Sequence, residues 1–149
     1  MLLEKEINMD MITDIKLRAY LELIFTSAAI HHRHLKFLDP FEISPQQYNI
    51  LRILRGSHPI KLSVMDIKSR MLDKTPNTTR LVDKLLKKHF VSRERGQKDR
   101  RQIFVGITEK GLDIMNDLDK INPKFLNFMN NLSDEECREL SALLEKMRM

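Results

Sequence analysis

Thr75-Pro76-Asn77-Thr78-Thr79-Arg80-Leu81-Val82-Asp83-Lys84-Leu85-Leu86-Lys87-Lys88 is the stretch on which the reading of this chain depends. Thr75 before Pro76 is a helix-opening signal, a capping hydroxyl followed by a ring that presets the helical φ. No proline or glycine then interrupts the run to Lys88. On a helical wheel Leu81, Val82, Leu85 and Leu86 centre one face, with Thr78 among them, while Pro76, Asn77, Arg80, Lys84 and Lys87 gather opposite. One side suits a core and the other, mostly basic, suits a partner. Upstream, Ser63 opens a short helix with Asp66 three residues on, close to a capping box, and Val64, Ile67 and Met71 face inward. Two short helices joined by a tight turn, the second with a basic exposed face, make a helix-turn-helix pattern.

Working outward, the period changes from helical to two. Val91, Arg93 and Arg95 alternate with Ser92 and Glu94, and Ile103, Val105 and Ile107 alternate with Gln102, Phe104 and Gly106. These runs predict two antiparallel strands. Their connection, Gly96-Gln97-Lys98-Asp99-Arg100-Arg101, is longer than a minimal hairpin and very basic, which predicts a protruding wing. Thr108 then caps a helix with Leu112, Met115, Leu118 and Ile121 as its stripe, and Asn122-Pro123 is expected to kink or restart it. Phe125, Leu126, Phe128 and Met129 follow, and Ser133 caps a last helix carrying Cys137, Leu140, Leu143, Leu144 and Met147. Asp134, Glu135 and Glu136 sit favourably at its positive end. On the other side, an unbroken pattern from Met9 to Phe37 with Ile12, Ile15, Tyr20, Leu23 and Ile24 predicts one long helix, ended by Asp39-Pro40. Ser44-Pro45 opens the next, with Tyr48, Ile50, Leu51, Ile53 and Leu54, stopping at Gly56. The fold class expected is mainly α with a small antiparallel β wing.

Charge points to a partner. Lys61 to Arg101 holds thirteen basic and five acidic residues, net +8, while the other 108 residues carry thirteen basic and sixteen acidic, net −3. A basic segment in an otherwise acidic chain is the footprint of a phosphate-binding surface, because neutralised phosphates release condensed counterions. The single cysteine excludes an internal disulfide framework and a multi-cysteine zinc site and suits a reducing compartment. No apolar run approaches the roughly 20 residues that span a bilayer. Met1 to Met11 carries Glu4, Glu6 and Asp10, so no signal peptide and a cytoplasmic location are expected.

The ordered set Thr78-Thr79-Arg80-Leu81-Val82-Asp83-Lys84-Leu85-Leu86-Lys87-Lys88, Val91-Ser92-Arg93, Lys98-Asp99-Arg100-Arg101 and Ile107-Thr108-Glu109-Lys110-Gly111 resembles the MarR family of bacterial winged-helix transcriptional regulators. The resemblance covers nearly the whole chain. It implies one domain over 1-149, with dimerisation helices at 9-37 and 108-149 around a winged helix-turn-helix at 44-107. It further implies a homodimer on double-stranded DNA, each recognition helix in a major groove and each wing at the flanking minor groove. A repressor that occludes a promoter until a small-molecule effector changes the spacing of the two helices is the mechanism the family suggests. Transferred by position, Thr78, Thr79 and Arg80 are groove or phosphate contacts, Arg101 is the wing arginine and Asp99 its organising partner. Pro76, Asn77, Lys84, Lys87, Lys98 and Arg100 complete the expected DNA-binding set. Thr78 lies on the buried side, which suits a phosphate contact near the helix start rather than base reading. Relatives often carry glycine in the turn where Asp73 and Lys74 stand, and another at His89, which would have to accept a left-handed cap or close the helix differently.

Other features read as structure. His31, His32 and His34 could suggest a metal, yet adjacent helical residues point about 100° apart and no Cys/His/Glu set at ligand spacing accompanies them. Cys137, on an apolar stripe beside Leu140, reads as a core or interface thiol. The nine methionines, scattered at helical spacing, read as ordinary core. No nucleophile lies beside a positioned histidine-carboxylate pair, so no enzyme and no cofactor are expected. The competing reading, a winged helix that docks protein, would expose apolar anchors where this chain places cations.

Overall fold

A computed structural model describes residues 2–6, 12–96, 99 and 101–149. The chain divides into two compact units, 1–45 and 46–149. The first holds α1 (Leu2–Glu6), α2 (Ile15–Leu38) and a 3-10 turn at Asp39–Phe41. Helix α2 starts later than the periodicity suggests: Met9 to Met11 lie outside the described residues, and Ile12 to Asp14 are not helical. The Asp14 carboxylate accepts from the Lys16 and Leu17 N–H groups at 2.8 and 3.2 Å, which satisfies the first-turn donors and fixes the start at Ile15. Asp39-Pro40 ends α2 as expected, because proline cannot donate to the preceding turn.

The second unit contains nearly all of α3 (Pro45–Ser57), then β1 (Leu62–Ser63), α4 (Val64–Arg70), α5 (Thr78–Lys87), β2 (Val91–Arg95), β3 (Ile103–Ile107), α6 (Glu109–Phe125), a 3-10 segment at Leu126–Asn131, and α7 (Asp134–Met147). The sheet is antiparallel in the order β1-β3-β2, with Val91 opposite Ile107, Arg95 opposite Ile103 and Leu62 opposite Val105. The strands read from the alternating pattern are present with those bounds. β1 leaves no signature in the sequence, because two residues are too few to show a period.

Ile50, Leu51 and Leu54 of α3, Ile67 of α4, Val82 and Leu85 of α5, Val105 of β3, and Met115 and Leu118 of α6 are buried. Arg55 of α3 ties to Asp119 of α6 by two hydrogen bonds, the shorter 2.6 Å. Ser63 and Asp66 form a complete capping box: Asp66 N–H donates to the Ser63 hydroxyl at 3.1 Å, and that hydroxyl and the Ser63 N–H donate to the carboxylate at 2.6 and 3.3 Å. Those bonds hold the Asp66 carboxyl below its ordinary value. Pro123 neither breaks nor restarts α6, which runs two residues further before tightening into the 3-10 segment. Leu126 donates its N–H to Asn122 O and so closes the end. Ser133 and Glu136 form a second capping box at α7, a helix that buries no residue and leaves Leu140, Leu143 and Met147 exposed. No helix among the described residues is long and apolar enough to cross a membrane.

Candidate nucleic-acid interface

The helix-turn-helix is α4, residues 71–77 and α5. Leu72 N–H donates to Asn49 Oδ1 at 2.9 Å, anchoring the turn to α3, and Thr75 N–H donates to Asp73 Oδ1 at 2.9 Å. Thr75 is therefore not the cap of the second helix. Asn77 is: its Oδ1 accepts from the Arg80 N–H at 3.1 Å, so the helix opens at Thr78, and Pro76 precedes it as part of the turn. Thr78 is buried, as the wheel indicates, and its hydroxyl donates to the Met71 sulfur at 3.6 Å. Thr79, Arg80, Lys84 and Lys87 are exposed, opposite the buried Val82 and Leu85.

The far end of α5 is closed by a left-handed residue. His89 has φ 61°, its N–H bonds to Leu86 O at 2.9 Å, and Phe90 N–H bonds to Leu85 O at 3.1 Å. Lys110 Nζ donates to Lys88 O at 3.1 Å and lies 5.2 Å from the centre of the Phe90 ring. Thr108 donates its hydroxyl to His89 O at 2.7 Å, fastening the start of α6 to the same corner.

At the wing, Gly96 N–H bonds to Gln102 O at 2.9 Å and Gln102 N–H to Asp99 O at 3.1 Å. Gly96 has no positive φ; what excludes a side chain there is space, since a Cβ would lie 2.7 Å from Asp99 O. Asp99 Oδ1 accepts from the Arg101 main-chain N–H at 2.9 Å. Asp99 thus shapes the backbone that carries Arg101 rather than gripping its guanidinium. Lys98 and Arg100 lie outside the described residues. At the base of the wing, Lys61 pairs with Glu94, and Arg93 Nη1 lies 3.4 Å from Asp83 Oδ1 of α5. Between the start of α4, α5 and the wing is an open groove of about 420 Å³ whose lining includes Asp66, Thr79, Asp83, Arg93 and Arg101. A hollow of about 290 Å³ lies along Pro76, Asn77, Arg80, Leu81 and Lys84.

The sequence pattern of the MarR family matches residues 43–103, from just before α3 to the start of β3. A solved MarR transcription factor from Planctomyces limnophilus is 32% identical, with a TM-score of 0.71 over 91% of this chain and 98% of that one. The chain belongs to the MarR family. The HTH-type transcriptional regulator YkoM of Bacillus subtilis (strain 168) is 34% identical over 107 residues, 69% of this chain and 66% of its own length. The S. aureus MepR-DNA complex shares the MarR fold, with a TM-score of 0.76, 24% identity and coverage of 87% of this chain and 94% of that one.

Two charged positions of this MarR winged helix acquire a joint role only in the structure, Arg93 of β2 and Asp83 of α5. They lie ten residues apart on different elements, so no local period joins them. The one available signal was that Asp83 is the sole acidic residue of α5. Elsewhere, His31 and His32 are exposed, and among the described residues no three His, Cys, Asp or Glu gather as a metal would require. Cys137 is half-buried on α7.

Proposed function

We propose that this chain is a sequence-specific DNA-binding transcriptional regulator that acts in the cytoplasm as a homodimer and represses by occluding its promoter. The observation that carries the reading is the α5 face: Thr79, Arg80, Lys84 and Lys87 stand exposed beside a wing that presents Arg101, in a chain of the MarR family. Among the described residues no ion pair holds Arg80, Lys84, Lys87 or Arg101, so these cations are available to phosphate or bases. In this reading α5 enters a major groove, where the Arg80 guanidinium can make a bidentate contact with guanine. Arg101 reaches the adjacent minor groove, whose negative potential deepens where A·T tracts narrow it. Pro76, Asn77 and Thr79 lie at the helix start, nearest the backbone, with Thr78 buried beneath them against Met71, and Lys98 and Arg100 add charge at the wing. The S. aureus MepR-DNA complex supports docking of this fold on a duplex. Exposed Tyr20 and Ile24 on α2, and Leu143 and Met147 on α7, supply apolar surface for a second copy.

The test is selection of bound fragments from the source genome by the purified protein, followed by titration of the enriched sequence against a random duplex. Enrichment of one pseudo-palindromic site, bound at least about a thousandfold more tightly than random sequence, is expected. Equal affinity for all duplexes, or none, would overturn the reading.

A further inference from the structure

Helix α5 carries one acidic residue, Asp83, among Arg80, Lys84 and Lys87. Its carboxylate faces the wing, where Arg93 Nη1 lies 3.4 Å away, and both side chains keep nearly half their surface in solvent, 43% for Arg93 and 49% for Asp83. The pair lies on the groove that also takes in Thr79 and Arg101. With α5 in a major groove and the wing in the adjacent minor groove, the sugar-phosphate strand that separates those grooves has to pass over this gap. A carboxylate therefore stands where the duplex brings its negative charge, and the arginine best placed to answer that charge is already engaged.

We propose that Asp83 sets the sequence selectivity of this regulator by holding Arg93 off the DNA backbone. The inference rests on the DNA-binding reading above. Phosphate contacts raise affinity for every duplex alike, whereas discrimination comes from base edges and groove shape. Keeping Arg93 engaged removes about one phosphate contact per protomer, and about two per dimer, from the sequence-independent part of the affinity. Base reading by Arg80 and groove reading by Arg101 are left intact, and the pair keeps the wing aligned with α5. Because non-specific sites vastly outnumber operators in a genome, lowering affinity for all of them raises the fraction of protein on the right one. The other ion pair at the wing base offers a control. Glu94 follows Arg93 directly in β2, so its side chain leaves the opposite face of the strand, where it meets Lys61.

The experiment titrates wild type, Asp83→Asn, Asp83→Glu, Arg93→Ala, Asp83→Asn/Arg93→Ala and Glu94→Gln on the selected operator and on a random duplex of equal length, at several salt concentrations. Asp83→Asn should bind the random duplex roughly tenfold more tightly near 0.1 M salt, with a log-log salt slope steeper by about two per dimer, and with a smaller operator-to-random ratio. Asp83→Glu, which keeps the charge, should keep wild-type selectivity, as should Glu94→Gln. The gain should vanish in the double variant. A random-duplex affinity unchanged by Asp83→Asn would overturn the inference, as would a gain that survives the loss of Arg93. Wild-type protein with no affinity for any duplex would overturn the DNA-binding reading together with it, so the two failures are distinguishable.

Discussion

His89 stands in the left-handed region at φ 61°, where a Cβ crowds the chain and glycine is favoured. The position cannot relax, because its N–H and that of Phe90 terminate α5 on Leu86 O and Leu85 O while Thr108 holds its carbonyl. His89→Gly should therefore stabilise the fold by about 0.5 to 1 kcal/mol, read as a higher urea midpoint at fixed protein concentration, and leave DNA affinity unchanged. A lower midpoint would show that the imidazole makes a contact worth more than the strain. At the wing, the bond from the Arg101 N–H to Asp99 Oδ1 separates two roles that share one turn. Arg101→Ala should leave the melting temperature nearly unmoved and weaken operator binding most on A·T-rich flanks. Asp99→Asn keeps the acceptor oxygen and should behave as wild type, whereas Asp99→Ala frees the turn and should lose part of the same flank dependence. Asp99→Asn as damaging as Asp99→Ala would mean that the carboxylate's charge, not its bond to the main chain, positions the arginine.

At the scale of the element, two helices carry their own pH dependence. Hydrogen bonds from the Ser63 hydroxyl and N–H hold Asp66 below its ordinary value, and bonds from the Ser133 N–H and hydroxyl do the same for Glu136. A carboxyl whose pKa is lower in the folded state favours folding above the ordinary carboxylate range and ceases to do so as pH falls through the lowered value. The first turns of α4 and α7 should thus loosen below about pH 4, seen as faster amide exchange there than in α5, whose Asn77 cap does not titrate. Ser63→Ala and Ser133→Ala should each cost about 1 kcal/mol at neutral pH and abolish that local pH dependence. The same caps explain what the chain's sequence discloses. Ser63, Thr108 and Ser133 each precede the helix they cap, and the alternation of residues 91–95 and 103–107 marks both longer strands. Where a stronger local bond competes, the pattern misleads: Asp14 and Asn77 take over as caps from positions that periodicity and a Thr-Pro pair favour. The basic face of α5 is legible from one helical wheel. The Asp83–Arg93 and Lys61–Glu94 pairs are not, because each joins elements whose approach only the tertiary fold decides.

For the whole molecule, apolar surface and charge make separate demands. Leu143 and Met147 on α7, 61% and 66% exposed, and Tyr20 on α2, 57% exposed, are costly to leave in water. Light scattering at micromolar concentration should give about twice 17.7 kDa, and removal of Ser133 to Met149 should abolish that dimer. A monomeric mass for the full chain would end the homodimer proposal. The dimer in turn sets the salt dependence on DNA. Lys61, Arg93 and Arg55 are answered by Glu94, Asp83 and Asp119, so they do not count toward phosphate neutralisation. Of Arg80, Lys84, Lys87 and Arg101, together with Lys98 and Arg100, about four per protomer are expected to meet phosphates at once, about eight per dimer, within the range of roughly 6 to 10 contacts that gives such steep salt dependence. The slope of log affinity against log salt should therefore lie near −7, and affinity should fall about 10⁴-fold between 50 and 200 mM salt. Lys87→Ala should flatten that slope by about two per dimer on operator and random duplex alike, since a phosphate contact carries no sequence information. Arg80→Ala should instead cost about 1 to 3 kcal/mol on the operator and much less on the random duplex. Equal losses from both variants on both duplexes would reduce α5 to a charged rod, and base reading would have to come from residues other than Arg80.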